Sequence, residues 1–342
     1  MKRRALLALG LALLVLGLFV LVVGWEEVLG AIRHASLSVY ALAFVASAGC
    51  LLCRAYVWHR VLAVVDRPRP YWLVAGVFLA GTFGKYVLPY GQVTSGVGVA
   101  AVVSRYYDSE YEEGLAAVVS ADFLNYLPYY TFGAIGIGYL LLTRSLPTAL
   151  GRYTRPGVVV LAALTLLLAI LWYRREGVRS GAIDAVAGLR GTVARISPRV
   201  ARQLRRENVE GRLEGFSETL ELVSRNRRSG GIALVAAHVA WLGLATALYA
   251  TALAIGTPIP FGLAILGVAL SKLGFLVPTP GGVGGVEIAL ASVLTLVAPI
   301  GFATATAVAI LYRFATYWFT VLVGGLTSMA LTLTDPTPPE AD

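Results

Sequence analysis

Residues 275–290 read FLVPTPGGVGGVEIAL, which places two prolines, four glycines and one glutamate inside an otherwise apolar region. Proline lacks the backbone N–H that a helix needs, and glycine permits backbone angles that other residues avoid. Irregular backbone inside a membrane must be buried in protein or line a wet cavity, because hydrocarbon cannot pair its polar groups. The stretch therefore predicts a membrane helix that is broken and faces a cavity.

The composition is that of a polytopic membrane protein. Of the 342 residues, 58% are hydrophobic and 14% are charged, whereas soluble domains average about 25% charged residues. A membrane-spanning helix needs about 20 apolar residues, and we therefore expect an all-α membrane protein with a retained first helix. The long apolar runs cover residues 5–23, 37–53, 71–88, 114–142, 157–173, 231–254, 261–277 and 303–333.

An arginine-rich segment separates two groups of apolar runs. Thirteen arginines and seven acidic residues lie between Arg174 and Arg228. Such a cluster could bind nucleic acid, but arginine-rich loops also mark the cytoplasmic side of membrane proteins and contact anionic lipid. We interpret residues 174–230 as a cytoplasmic insert with an amphipathic helix beginning at Ser197, lying against the membrane or a partner. No nucleic-acid partner is expected.

The charge distribution predicts about six full spans and two re-entrant hairpins. Placing the arginine-rich insert in the cytoplasm requires residues 71–104 to enter and leave on one side, and residues 261–297 to do the same. Both termini are then cytoplasmic, and the tail 334–342 is disordered. Residues 1–142 and 157–333 form two membrane repeats, the second interrupted by the insert. An odd number of crossings in each repeat predicts an inverted-topology arrangement.

A single offset of 191 residues aligns the two proposed repeats. It brings the DFLNY sequence at residues 122–126 onto RFATY at residues 313–317. This agreement is independent of the charge argument. The matched pairs are Pro89 with Pro280, Gly91 with Gly282, Asp122 with Arg313, Phe123 with Phe314, and Tyr126 with Tyr317.

Five charged residues lie within the apolar runs or the broken segment 275–290, namely Lys85, Asp122, Lys272, Glu287 and Arg313. Each costs about 2.5–3.5 kcal/mol at the centre of a bilayer, so each should be paired or hydrated. The lysines could meet an anionic headgroup or neutralise the two acids. Because the offset makes Asp122 and Arg313 equivalent, we predict that these two pair directly or through one water.

The breaks also predict a binding site. A half-helix that begins after a break points its N-terminus inward, and helix N-termini bind anions such as phosphate. Leucine at Gly282 or Gly284 should fill this cavity and forbid positive φ angles. By contrast, Arg54 lies beside Trp58 at the end of an apolar run, and we interpret it as extending to the cytoplasmic interface.

No sequence pattern indicates a metal, a cofactor or a catalytic group. Cys50 and Cys53 form a C-x-x-C inside an apolar run, without the further ligands or the βαβ setting that a zinc or redox site needs. His34, His59 and His238 show no metal-ligand spacing. We therefore expect a protein that is not an enzyme and that has no catalytic residues, metal or cofactor.

The two breaks resemble those of a known family, the flippase-like membrane region typified by the transmembrane part of lysylphosphatidylglycerol synthase. In the first break, Thr94, Ser95 and Gly96 replace a G-G-E-like stretch of the family, so the acid usual there is missing. The matching residues are Pro278, Pro280, Gly281, Gly282, Gly284 and Glu287 of P-x-P-G-G-x-G-x-x-E; Arg313, Tyr317 and Trp318 of the last helix; and Pro89, Tyr90, Gly91 and Gln92 of the first break.

The resemblance implies transfer of a polar- or phosphate-headed lipid, phospholipid or polyprenyl-linked, between leaflets of a prokaryotic cell membrane. Its motif residues would bind the lipid, with Lys85, Asp122 and Lys272 as groove or ion-pair residues. An alternative is a membrane scaffold for an envelope enzyme such as a glycosyltransferase or lipid synthase. A membrane-embedded enzyme is a third, weaker reading. The sequence leaves the oligomeric state and the lipid open.

Overall fold

The computed structural model describes residues 32–65, 68–87, 111–143, 221–277 and 279–333, together with six isolated positions. The chain divides into two compact units, one of residues 1–144 and 223–342 and the other of residues 145–222. All the helices named below belong to the first unit.

The described part of the chain is all-helical and contains eight α-helices and no strand. Its long apolar segments are those of a membrane protein. Four of them have the length and composition to cross a bilayer: Leu37–Val65, Arg227–Ala254, Pro280–Val297 and Phe302–Leu331. The helices are α1 (Leu37–Val65), α2 (Tyr71–Val87), α3 (Tyr111–Thr143), α4 (Arg227–Ala254), α5 (Phe261–Ser271), α6 (Gly285–Val297), α7 (Phe302–Arg313) and α8 (Phe319–Leu333).

Most predicted apolar runs correspond to these helices. The first described run, predicted to end at residue 53, continues as helix to Val65. The runs 5–23 and 157–173, the break after α2, nearly all of the insert 174–230 and the tail 334–342 lie outside the described residues.

Helices α1 and α4 pack along their lengths and form the centre of the described bundle. Small residues permit this approach: a Cβ atom added at Gly243 would lie 2.9 Å from the carbonyl oxygen of Ala46. Close backbone packing of this kind is typical of membrane helices, which gain little from hydrophobic burial against one another. Trp58 and Phe78, with ring centroids 5.4 Å apart, join α1 to α2 in the same core.

The helix is broken where the prolines and glycines predicted it. After α5 the chain forms a 3₁₀ turn at Lys272–Leu276 and another at Pro280–Gly282 before α6 begins. At 1.5 Å per residue, α5 and α6 are about 16 and 20 Å long, too short to cross about 30 Å of hydrocarbon. Pro280–Val297 is apolar enough to span, but only its last 13 residues are α-helical.

The last long helix carries a local irregularity. A π-helical turn at Phe314–Trp318 joins α7 to α8 without ending the helical path. Single π turns of this kind occur often at functional sites. This turn directly follows Arg313 and contains Tyr317, whose ring faces the broken segment at Gly281.

Candidate functional site

Arg313 holds the broken segment together. Its Nε donates to Glu287 Oε1 at 2.9 Å, and its Nη2 donates to the carbonyl oxygen of Gly281 at 2.7 Å. The guanidinium carbon lies 4.2 Å from the centre of the Tyr317 ring. The side chains of Arg313 and Glu287 are only 5% and 1% exposed. We call this group the Arg313 cage.

Glu287 also caps helix α6. Its Oε2 accepts the backbone N–H of Gly284 at 2.8 Å, so the carboxylate lies over the first turn of the helix. An acidic side chain there is stabilised by the helix dipole. The chain's own carboxylate therefore occupies the position where we predicted that a phosphate would bind.

Gly281 is the residue that allows the cage to close. Its φ is +58°, in the left-handed region that other residues rarely adopt. A Cβ atom there would lie 2.0 Å from Cε2 of Tyr317. The glycine is therefore needed both for its backbone angle and for the space that the tyrosine ring occupies.

Gly282 and Gly284 also have positive φ, +67° and +85°, as predicted for turns in this segment. The predicted reason for their sensitivity to leucine needs one correction. A Cβ at Gly282 would meet Phe275 and Val286, both at 2.9 Å. Gly282 therefore faces packed side chains, and a larger residue there would displace them instead of filling a cavity.

A second ion pair joins α2 to α3. Lys85 Nζ donates to Asp122 Oδ2, and the indole Nε1 of Trp58 donates to Asp122 Oδ1 at 3.2 Å. The side chains of Lys85 and Asp122 are 8% and 20% exposed. This group, the Lys85 pair, is more open than the Arg313 cage and has fewer partners among the described residues.

The predicted contact between Asp122 and Arg313 is therefore wrong. Each charge is neutralised nearby: Lys85 pairs with Asp122, and Glu287 pairs with Arg313. A buried pair is stable only with good geometry and satisfied remaining hydrogen bonds, and these local partners supply both. Of the alternatives stated for the lysines, neutralising an acid is correct for Lys85, whereas Lys272 does not pair with Glu287.

The prediction for Arg54 is also wrong. Its side chain lies within the bundle, with the guanidinium carbon 5.4 Å from the Tyr126 ring centre and 5.8 Å from that of Phe78. Arg54, Tyr126 and Trp241 each lie more than ten residues from either end of their helices. The sequence signal was present, because apolar residues continue after Arg54 to Val65.

Arg54 and Lys272 line a cavity of about 290 Å³, which we call the wide cavity. Aromatic rings form much of the remaining wall, among them Tyr86, Tyr126 and Trp241. The ammonium of Lys272 lies 5.7 Å from the Trp241 ring centre. Small-molecule sites have volumes of roughly 300–1,000 Å³ and walls of this mixed character.

A second cavity, the narrow cavity, has a volume of about 30 Å³, enough for about one water molecule. The two cavities share Arg54, Tyr86, Leu244 and Lys272. Arg313 lines the narrow cavity, so the Arg313 cage and the wide cavity are neighbours. The Tyr317 hydroxyl donates a hydrogen bond to the carbonyl oxygen of Tyr86 at 3.3 Å, beside the narrow cavity that both residues line.

The structure brings together most of the described candidates. Pro280, Gly281, Gly282 and Gly284 form the turn around Glu287 and Arg313, and all are buried. The contribution of Tyr86 was not foreseen. Pro89, Gly91, Gln92 and Pro278 lie outside the described residues, and their role stays a prediction.

Comparison with known proteins identifies the family of the chain. Residues 5–324 match the family described as the lysylphosphatidylglycerol synthase TM region. The chain belongs to this family. A UPF0104 membrane protein of Methanothermobacter thermautotrophicus is 23% identical over 336 residues, covering 96% of this chain and 93% of that protein.

The motif on which the resemblance to the lysylphosphatidylglycerol synthase TM region was based coincides with the Arg313 cage. Pro280, Gly281 and Gly284 shape the turn, and Glu287 and Arg313 close it. The described motif residues are therefore those that keep a helix broken beside a cationic cavity.

Proposed function

We propose that this protein transfers a phosphate-headed lipid between the two leaflets of the membrane. The observation that carries the proposal is the wide cavity, which lies about midway along α1, α3 and α4 and is lined by Arg54 and Lys272. A membrane protein rarely keeps cations at such depth unless they serve a substrate or a pathway. The proposal of a flippase-like transporter therefore depends on this cavity.

The physical difficulty in lipid transfer is the headgroup. A charged group in the hydrocarbon core costs several kcal/mol unless it is hydrated or paired. Arg54 and Lys272 offer charge-assisted hydrogen bonds to phosphate, which are stronger than neutral ones. Tyr130 lines the cavity and is 37% exposed, so the cavity reaches the surface there while the lipid tails stay outside.

We further propose six full spans and two re-entrant hairpins in an inverted repeat. The spacing of helix starts supports a repeat. Helix α4 begins 190 residues after α1, and α5 begins 190 residues after α2. The start of α3 is likewise 191 residues before that of α7. Packing supports it too, because α2 contacts α8 and its counterpart α5 contacts α3. Exchanged contacts of this kind are expected between two repeats related by a two-fold axis.

The same proposal includes the orientation and the partners. Both termini and the insert 174–230 lie in the cytoplasm of a prokaryotic cell, and the chain acts without a catalytic step of its own. Membrane lipids with phosphate headgroups are the substrates. A glycosyltransferase or lipid synthase could supply the lipid.

Reconstitution in phosphatidylcholine vesicles tests the function. An acyl-labelled phosphate lipid in the inner leaflet is protected from dithionite until it is transferred outward. We expect wild-type protein to remove this protection, and the double variant Arg54→Gln, Lys272→Gln to lose most of the transfer. Arg60→Gln is the matched control, because Arg60 bonds to Ser229 at 2.8 Å and does not line either cavity.

The scaffold alternative predicts a different outcome. In that case purified wild-type protein would transfer no lipid, and the double variant would behave like wild type. Retention of transfer by the double variant would show that the cavity is not the headgroup site.

A further inference from the structure

Inside the described bundle, cationic side chains outnumber acidic ones. Beyond the first turn of α3, the only acidic residues in the eight helices and the turns joining α5 to α6 and α7 to α8 are Asp122 and Glu287. Four cations in the same segments face the interior of the bundle: Arg54, Lys85, Lys272 and Arg313. Two acids against four cations leave two cationic side chains without a carboxylate of their own.

The contacts identify which two cations remain. Asp122 is occupied by Lys85, and Glu287 is occupied by Arg313. Among the residues that the structure describes, no carboxylate lies within 4 Å of Arg54 or Lys272. The segment 88–104, which follows α2, contains no acidic residue in its sequence either.

The two cations without a carboxylate partner among the described residues border the same cavities. Arg54 and Lys272 border the wide cavity and the narrow one, and Arg54 Nε is buried without a hydrogen-bond partner. The described partners of Lys272 are aromatic faces, with Trp241 and Phe275 ring centres 5.7 and 5.4 Å from its ammonium. Two like charges that border the same cavity repel one another, and an anion bound between them would offset that repulsion.

We propose that the cavity selects a headgroup bearing two negative charges on phosphate, such as a phosphomonoester, over singly charged, zwitterionic or cationic headgroups. This inference rests on the proposed function and adds the substrate class. One negative charge would leave a cation at depth without a counter-charge, and a zwitterionic headgroup would bring no net neutralisation. A dianion neutralises Arg54 and Lys272 together without the chain supplying another acid.

We call this preference for a doubly charged headgroup the charge rule. Binding measurements test it separately from lipid transfer. Thermal stabilisation of purified protein in neutral detergent is followed with dihexanoyl phosphatidic acid, phosphatidylglycerol and phosphatidylcholine at pH 8. A phosphomonoester is doubly charged there, because its second pKa is roughly 6. We expect phosphatidic acid to bind about tenfold more tightly than phosphatidylglycerol, as one added charge-assisted contact predicts.

Charge variants turn this ratio into a specific test. Lys272→Met and Arg54→Met should each bring the ratio of the two affinities close to one, whereas Lys272→Arg and the control Arg60→Gln should retain it. Lowering the pH to 5 removes one charge from phosphatidic acid and should abolish its advantage in wild type. This pH comparison tests the charge rule in wild type even if the methionine variants do not fold.

The outcomes separate this inference from the proposed function. Equal binding of the two lipids by wild type, or a ratio unchanged in both methionine variants, would overturn the charge rule even if lipid transfer is observed. Preference for phosphatidic acid without vesicle transfer would support the rule and contradict the flippase role. If inorganic phosphate stabilises the protein as well as phosphatidic acid does, the site takes a free dianion and the lipid assignment fails.

Discussion

The Arg313 cage and the Lys85 pair are both buried ion pairs, but their surroundings differ. In the cage, the guanidinium has a carboxylate, a backbone carbonyl and an aromatic face as partners, and Glu287 is 1% exposed. In the Lys85 pair, the carboxylate is 20% exposed and meets only Lys85 and Trp58 among the described contacts. The cage holds an irregular backbone segment, whereas the Lys85 pair joins two regular helices. The first should therefore matter more for stability.

The largest expected effect is that of Arg313→Gln. Removing one partner from a fully buried pair leaves a stranded charge, which costs about 3–5 kcal/mol. Thermal unfolding in detergent, followed by fluorescence-detected size exclusion, measures the loss. Glu287→Gln together with Arg313→Gln should recover part of it, since neither charge is then stranded. A single variant that melts at the wild-type temperature would contradict the role of the cage.

A smaller loss is expected for Gly281→Ala. The new Cβ would overlap Tyr317 at 2.0 Å and the backbone would keep an unfavourable φ, a combined cost of about 2–4 kcal/mol. Gly256→Ala is the matched control, because Gly256 has a φ of +81° but no neighbouring atom within 4 Å of the added carbon. It should lose only about 1–2 kcal/mol. Equal losses in the two variants would show that the contact with Tyr317 is not significant.

Lys85→Met should destabilise less than Arg313→Gln, by about 1–2 kcal/mol. Asp122 keeps its hydrogen bond from Trp58, and its partial exposure admits water that solvates the carboxylate. The same unfolding assay checks this order. A loss as large as that of Arg313→Gln would mean that the two ion pairs are energetically equivalent despite their different surroundings.

The smallest expected quantity is the coupling energy between a change in the Lys85 pair and a change in the Arg313 cage. A double-mutant cycle with Asp122→Asn and Arg313→Gln should be additive within about 0.5 kcal/mol, since the two residues have separate partners. Unfolding free energies of the two single variants and the double variant give the coupling. A coupling above about 1 kcal/mol would restore the direct pairing predicted from the sequence.

The sequence predicted the parts of this fold that depend on local chemistry. Apolar runs identified the described helices, and the prolines and glycines identified the break before Glu287. Positive φ at Gly282 and Gly284 followed from the same glycines.

Pairing between distant residues was harder to predict. The 191-residue offset made Asp122 and Arg313 equivalent, but equivalence does not bring two side chains into contact when each has a nearer partner. Arg54 was misplaced because a helix end was set at residue 53, and its burial depends on how α1 packs against α3 and α4. The cavity is a product of this packing.

The most direct test of the central claim is to block the cavity after the protein has been folded and reconstituted. Leu244 lines both cavities, so Leu244→Cys in a background with Cys50→Ala and Cys53→Ala provides a reactive site there. Leu253→Cys, at a 40% exposed position on the same helix, is the control. Vesicle transfer of a labelled phosphate lipid is measured before and after a permeant maleimide. We predict that quantitative labelling at residue 244 reduces transfer to the rate of protein-free vesicles, and that labelling at residue 253 leaves it unchanged. Undiminished transfer with residue 244 fully labelled would contradict the account.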